Sequence, residues 1–205
     1  MPTTAPATIT LSGSVLSSGG LLSGAGATVT VFDTIGTNVG MGTTDSSGTF
    51  QFQLTTGGKP LDCHALVTLP DQLDTYWYPA KPLSANAYAS GIVTLSWSEI
   101  VNMLPAAHLQ ADSTKTQIFV GVVDCGGRRI AGATVGAMPA SGTVLYVINT
   151  QIDPTATSTD EFGLALLANA VPGDLTISAT LGTTIFRSIH VTAVSGTLVR
   201  SEVGP

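Results

Sequence analysis

Charge is what this sequence has least of. Lys, Arg, Asp and Glu together make up 10% of its 205 residues, against about 25% in an average soluble domain. Thr, Ser, Gly and Ala fill the difference, so the surface must be rich in hydroxyls. Seven basic side chains stand against thirteen acidic ones, giving a formal charge of -6. That balance repels phosphate backbones and sets nucleic acid aside as a partner class. Long apolar runs are missing too: none approaches the ~18 residues of a membrane span, so no transmembrane segment is expected. Met1-Pro2-Thr3-Thr4-Ala5-Pro6 has neither the basic start nor the apolar stretch of a signal peptide. Either the protein is cytosolic or its export signal has been removed. The tether-like composition of the start favours removal, and with it an extracellular or outer-surface location.

Cysteine is nearly absent. Cys63 and Cys125 are the only two, too few for a four-ligand zinc site. They are either bridged, which an oxidising compartment permits, or two separate thiols, and spacing alone does not decide between these. Histidine is as scarce. His64, His108 and His190 stand apart, with no His-x-His or His-Glu-x-x-His spacing. No Gly-x-Ser-x-Gly elbow, glycine-rich phosphate loop or isolated carboxylate pair is present either. The expectation is a protein that is not an enzyme and holds no metal or cofactor. Asp62-Cys63-His64 does not amount to a thiol–imidazole pair, because neighbours in a strand face opposite ways.

What the sequence does have is alternation. Hydrophobic residues reach 43% and mean hydropathy is +0.38, enough apolar surface for two cores. Ile9, Leu11 and then Val15 alternate with polar residues, as do Ala27, Val29, Val31 and Phe50, Phe52, Leu54, each set placing one face of a strand toward a core. Ser17-Ser18-Gly19-Gly20 and Asp45-Ser46-Ser47-Gly48 supply turns between them. The second half repeats the order, with Phe119, Gly121, Val123, then Ala131-Gly132-Ala133-Thr134-Val135, then Thr159-Asp160-Glu161-Phe162-Gly163 before Leu164 to Leu167. An internal duplication is the economical reading, with a longer connection in the second copy around Asn149 to Thr157. The fold class expected is all-β, two tandem Ig-like or transthyretin-like β-sandwiches joined by a short helix. The divisions are 1–8 as a tether or strand, 9–95 as the first sandwich, 96–114 as a helical linker and 115–205 as the second sandwich. The helix follows from Ser96-Trp97-Ser98-Glu99, a capping box, and from the stripe Trp97, Ile100, Val101, Leu104, with Pro105 ending it.

The repeated pattern Gly-x-Val, turn, Gly-Ala-x-Val and Thr-Asp-x-x-Gly resembles the carboxypeptidase regulatory-like domains, a transthyretin-like sandwich family of bacterial surface proteins and lipoproteins. Val123-Asp124-Cys125-Gly126-Gly127 and Val171-Pro172-Gly173-Asp174 fit that resemblance, whereas Lys59-Pro60-Leu61-Asp62-Cys63 departs from it. The resemblance implies a surface module used for binding or spacing, without catalysis, and a fold shared with carbohydrate-binding domains.

The two Asp-x-x-Gly turns contain oxygens that suit calcium, but Asp caps such a turn and Gly tolerates its positive φ without any ion. Arg128-Arg129 is read as a solvated hairpin tip. The aromatic run Tyr76-Trp77-Tyr78 is the best ligand-binding candidate. Outward rings beside Asp74, with Asp71, Gln72 and Lys81 near in sequence, would suit a glycan, whereas inward rings would be core. Two functions stand side by side. One is a binding module for glycan or a surface protein. The other is a structural protein whose chains self-associate by strand addition, with Thr3 to Thr10 as donor.

Overall fold

The computed structural model describes residues 2–205, and among them are seventeen strands and one α-helix. The chain divides into two units, one ending at Trp97 and one beginning at Ser98.

The first unit is built from β1 (Thr8–Ser17), β2 (Leu22–Ser23), β3 (Thr28–Asp33), β4 (Asn38–Thr43), β5 (Thr49–Thr55), β6 (Cys63–Thr68), β7 (Thr75–Tyr78) and β8 (Ala87–Val93). One sheet is centred on β1, antiparallel to β5 and to the short β2 and parallel to β8. The other runs β7-β6-β3-β4, all antiparallel. Alternation decides what meets between them. Ile9, Leu11 and Val15 of β1, Phe50 and Leu54 of β5, and Ala89 and Ile92 of β8 pack against Val29, Val31, Cys63, Ala65 and Val67 of the opposite sheet. Each large side chain so buried contributes roughly 1.5–3 kcal/mol. The same alternation turns Thr10, Ser12 and Ser14 to the other face of β1. The run Thr3 to Thr10, expected as a donor strand, is bonded within its own unit from Ala5 onward. Ala5 N–H donates to Gly58 O, Thr56 N–H to Ala7 O, and Thr8 to Thr10 pair with β5.

Helix α1 (Trp97–Met103) forms where the capping sequence predicts it. Pro105 ends the α-helical bonding without ending the turn. A 3-10 turn, Leu104–Ala107, takes the proline near its start, where no N–H is needed, and stops at His108 with φ 57°. Ile100 and Leu104, four apart, are the buried pair, and Val101 is exposed, so the apolar stripe is narrower than its residues suggest.

The second unit comprises β9 (Thr116–Val122), β10 (Thr134–Met138), β11 (Thr143–Ile148), β12 (Gln151–Asp153), β13 (Leu164–Ala170), β14 (Gly173–Leu181), β15 (Thr184–Ile185), β16 (Ile189–Ala193) and β17 (Leu198–Val203). One sheet runs β12-β11-β13-β9-β17, with β9 and β17 parallel. In the other, β14 pairs with β10, β15 and β16. The segment expected as a longer connection holds β12 and its turn.

The pairing of β9 with β13 and β17 repeats that of β1 with β5 and β8, and β10, β14, β16 repeat β3, β6, β7. One strand breaks the correspondence. β4 pairs with β3, whereas β11, at the same place in the order, pairs with β13 in the other sheet.

Candidate functional site

The repeated Thr-Asp-x-x-Gly motif makes the same knot in both units. Thr44 Oγ1 donates to Gly24 O at 2.6 Å and accepts from Ala27 N at 2.8 Å, while its own N–H reaches Ala27 O at 2.9 Å. In the second unit Thr159 Oγ1 donates to Ile130 O at 2.7 Å and accepts from Ala133 N at 3.0 Å, and its N–H reaches Ala133 O at 2.9 Å. Both threonines are buried. Each therefore satisfies the backbone of the preceding Gly-Ala corner, which would otherwise lie unpaired away from water. The following aspartate closes the turn. Asp45 accepts from Ser47 Oγ at 2.6 Å, Thr49 Oγ1 at 2.7 Å and the N–H groups of Ser47 and Thr49 at 2.8 and 3.1 Å. The Ser47 hydroxyl first, then Thr49, holds the Asp45 carboxyl well below the usual carboxylate range. Asp160 accepts from Phe162 N and Asn149 N, both at 2.8 Å. Gly48 and Gly163 have φ of 79° and 59°, and a Cβ on either would sit 2.7–2.8 Å from the carbonyl oxygen of Val15 or Val122. These positions need glycine for both conformation and space. No cluster of three His, Cys, Asp or Glu side chains that could hold a metal occurs among the described residues.

The aromatic run lies on β7, where strand alternation separates its rings. Trp77 pairs with Ala65 and packs against the first unit's core. Tyr76 and Tyr78 take the other face, Tyr76 half-buried and Tyr78 buried, and Asp74 is exposed just before the strand. On that face the His64 ring stacks on Tyr78 at 5.2 Å and on Phe32 at 5.7 Å, with Tyr76 at 5.9 Å. Burial among these rings lowers the pKa of His64 and so favours the neutral imidazole. Cys63, its neighbour, points into the core on the opposite face, and burial followed by the nearby Asp62 charge pushes its thiol up to about 12. Cys63 and Cys125 are both free thiols, the first buried and the second exposed on its turn.

Arg128 and Arg129 are both exposed, as expected of a hairpin tip, but Arg129 also has partners. Its guanidinium lies over Gly121, in the space a Cβ there would take, and bonds Glu202 at 3.1 Å. Beside it Arg200 covers the Phe119 ring at 4.9 Å. Burial, then the Arg129 charge, lowers Arg200 to about 10 against the opposing pull of Glu202.

The feature the sequence reading missed lies on the outer face of the β1 sheet. Ser12 stands opposite Gln51 of β5 on one side and Tyr88 of β8 on the other, so three polar side chains form one row. Ser14 and Thr49 make the next row, and Thr10, Gln53 and Asn86 the row beyond, with Asn86 Oδ1 accepting from Thr10 N at 2.9 Å. A groove of about 560 Å³ opens here, lined by Ser12, Thr43, Asp45, Thr49, Gln51 and Tyr88 among others. The Tyr88 ring is 67% exposed. The signal lies in the polar half of each alternating run, whereas the apolar half is what marks the strand.

No family model matches this sequence, and no curated protein matches it. Among solved structures, the Bacillus anthracis TIE protein overlaps with a TM-score of 0.33 at 14% identity, over 95% of this chain and 33% of that one. The chain thus spans about a third of that protein's length. BcpA, the major pilin subunit of Bacillus cereus, overlaps with a TM-score of 0.32 at 8% identity, over 96% and 99% of the two chains. The shaft pilin SpaA from Lactobacillus rhamnosus GG does so at 0.28 and 11%, over 97% and 98%. Overlaps of this order carry no argument about activity or partners, which must be read from this chain's own residues.

Proposed function

We propose that this chain is a non-catalytic structural module of a secreted or cell-surface protein, which associates with other copies through the edges of its sheets. The observation that carries this is that four of the large exposed apolar side chains fall on outer strands or at their turns. In the first unit Ile35, 85% exposed, tips the β3–β4 hairpin, and Met41, 60% exposed, lies on the outer strand β4. In the second, Met138 at 71% ends the outer strand β10, and Ile185 lies on the short outer strand β15. Outer strands with apolar side chains and few charges invite pairing. Several polar groups that could do chemistry are engaged instead in closing turns: Asp33, Asp45, Asp112, Asp124, Asp153 and Asp160 accept from hydroxyls or N–H groups, and the buried Thr44 and Thr159 hold corners. A surface location agrees with the hydroxyl-rich, low-charge composition and with the resemblance to carboxypeptidase regulatory-like modules. No helix among the described residues is long and apolar enough to cross a membrane.

Sedimentation velocity over a concentration series tests this reading. The unaltered chain is expected to form larger species as concentration rises, and Met41→Lys with Met138→Lys to remain monomeric, because a charge on an outer strand blocks pairing. A monomer at every concentration, or equal association by the double variant, would overturn it.

A further inference from the structure

The outer face of the β1 sheet has a composition unlike the edges. Across β5, β1 and β8 it presents Gln51 and Gln53, Ser12 and Ser14, and Tyr88 and Ser90. None of these is charged. The one carboxylate at the groove, Asp45, is already saturated by two hydroxyls and two N–H groups. The carboxamides of Gln51 and Gln53 bond to nothing among the described residues, although each offers two donors and an acceptor. Ser12 Oγ donates weakly to Ala87 O at 3.4 Å and keeps its lone pairs. Tyr88, in line with Ser12 and Gln51, turns one broad ring to solvent and is the most exposed apolar side chain of the face, with Leu16 half-buried toward the far end of β1.

A charged ligand would find no counter-charge here, and a protein partner would find one ring where a stable contact needs an apolar centre. A neutral polyol with apolar C–H faces and a rim of hydroxyls fits both halves of the surface at once. We propose that this face binds a neutral oligosaccharide, with a pyranose ring seated on Tyr88 and its hydroxyls bonded by Gln51 and Ser12. The 560 Å³ groove lies within the roughly 300–1,000 Å³ of small-ligand sites. The rows of polar residues along β1 and β5 extend beyond Tyr88, giving a second sugar unit hydrogen-bonding partners at Thr10 and Gln53. None of these residues is among Ile35, Met41, Met138 and Ile185, the apolar positions on which the assembly reading rests, so either idea survives the failure of the other.

Affinity electrophoresis in gels containing xylan, laminarin, galactomannan or hydroxyethylcellulose, with alginate as the charged control, tests the site. At least one neutral polysaccharide is expected to retard the chain. Tyr88→Ala is expected to weaken that retardation about tenfold or more, Gln51→Ala to weaken it less, and Tyr88→Trp to preserve it. Both positions are on the surface, and unchanged unfolding midpoints of the three variants would confirm intact folds. Migration unaffected by all four neutral polymers, retardation by alginate alone, or retardation insensitive to both Tyr88→Ala and Gln51→Ala would each overturn the proposal.

Discussion

Thr44 and Thr159 match valine in shape and differ from it only in one hydroxyl. That hydroxyl satisfies a buried carbonyl and a buried N–H on a corner that precedes it by 17 to 29 residues. Thr44→Val and Thr159→Val are therefore expected to cost about 1–3 kcal/mol each, since the volume is kept and both backbone groups lose their partner. Serine at either position keeps the hydroxyl and should cost less. Urea unfolding of the four variants checks this, and equal losses for Val and Ser would shift the cause to methyl packing. The Asp and Gly of the motif were legible in the sequence, because they act on their own turn. The threonine was not, since its partners lie in another segment. The same holds for Tyr146, whose buried hydroxyl accepts from Val135 N at 3.2 Å, and for Gln117, whose carboxamide pairs with the N–H and side chain of Asn169 at 3.0 Å each. No spacing rule announces such a pair.

At the scale of elements, alternation located β1, β3 and β5 because each has one continuous apolar face. It passed over β4, whose sequence Asn-Val-Gly-Met-Gly-Thr reads as a loop. The glycines are there for space. A Cβ at Gly40 would sit 2.6 Å from Leu54 Cδ2 and 2.7 Å from Gln53 O, and one at Gly42 would sit 2.5 Å from Phe52 Cδ1. β4 thus lies close against β5 while pairing only with β3. Its counterpart β11 has Leu145, Tyr146 and Val147 in its middle and pairs with β13 instead. Gly42→Val raises strand propensity yet should destabilise the first unit by about 1–3 kcal/mol through overpacking against Phe52. Thr43→Val, one residue on and exposed, should stay within about 0.5 kcal/mol. Thermal unfolding of the two variants separates these effects, and a neutral Gly42→Val would mean that Phe52 can move aside. The rings of the aromatic run are divided between two faces for a related reason. A period of two sends Trp77 to the core and its neighbours to the other face, while Tyr88, a more exposed ring, stands alone in the sequence.

For the whole molecule, few groups titrate, and those with perturbed values fall into an acid set, a near-neutral histidine and an overlapping alkaline set of Cys63, Tyr76 and Arg200. His64 has its pKa lowered by burial among rings, while the unfolded imidazole returns to 6.5. Below that value the unfolded chain binds more protons, so the stability that depends on a neutral His64 is complete above about 6.5 and is lost as pH falls through the folded value. Asp45, Asp112 and Asp153 are lowered from 3.8, each chiefly by a side-chain hydroxyl: Ser47, Thr114 and Thr155 respectively. Their contribution is present above 3.8 and disappears as pH falls further. Cys63 works in the opposite direction. Its thiol is raised from 9.0 to about 12, so stability is complete below 9.0 and declines as pH rises toward 12. The unfolding midpoint should therefore be flat between about pH 7 and 9, show an acid shoulder, fall again below 4, and decline above 9. His64→Phe, which keeps a ring between Phe32 and Tyr78, should remove the shoulder alone. Cys63→Ala should lower the whole curve and remove the part of the alkaline decline that begins at 9.0. The part above 10.0 should remain, since it belongs to Tyr76, whose phenol is raised by burial. A shoulder that persists in His64→Phe would place the titrating group elsewhere and show that the ring stack of the first unit tolerates a charged imidazole.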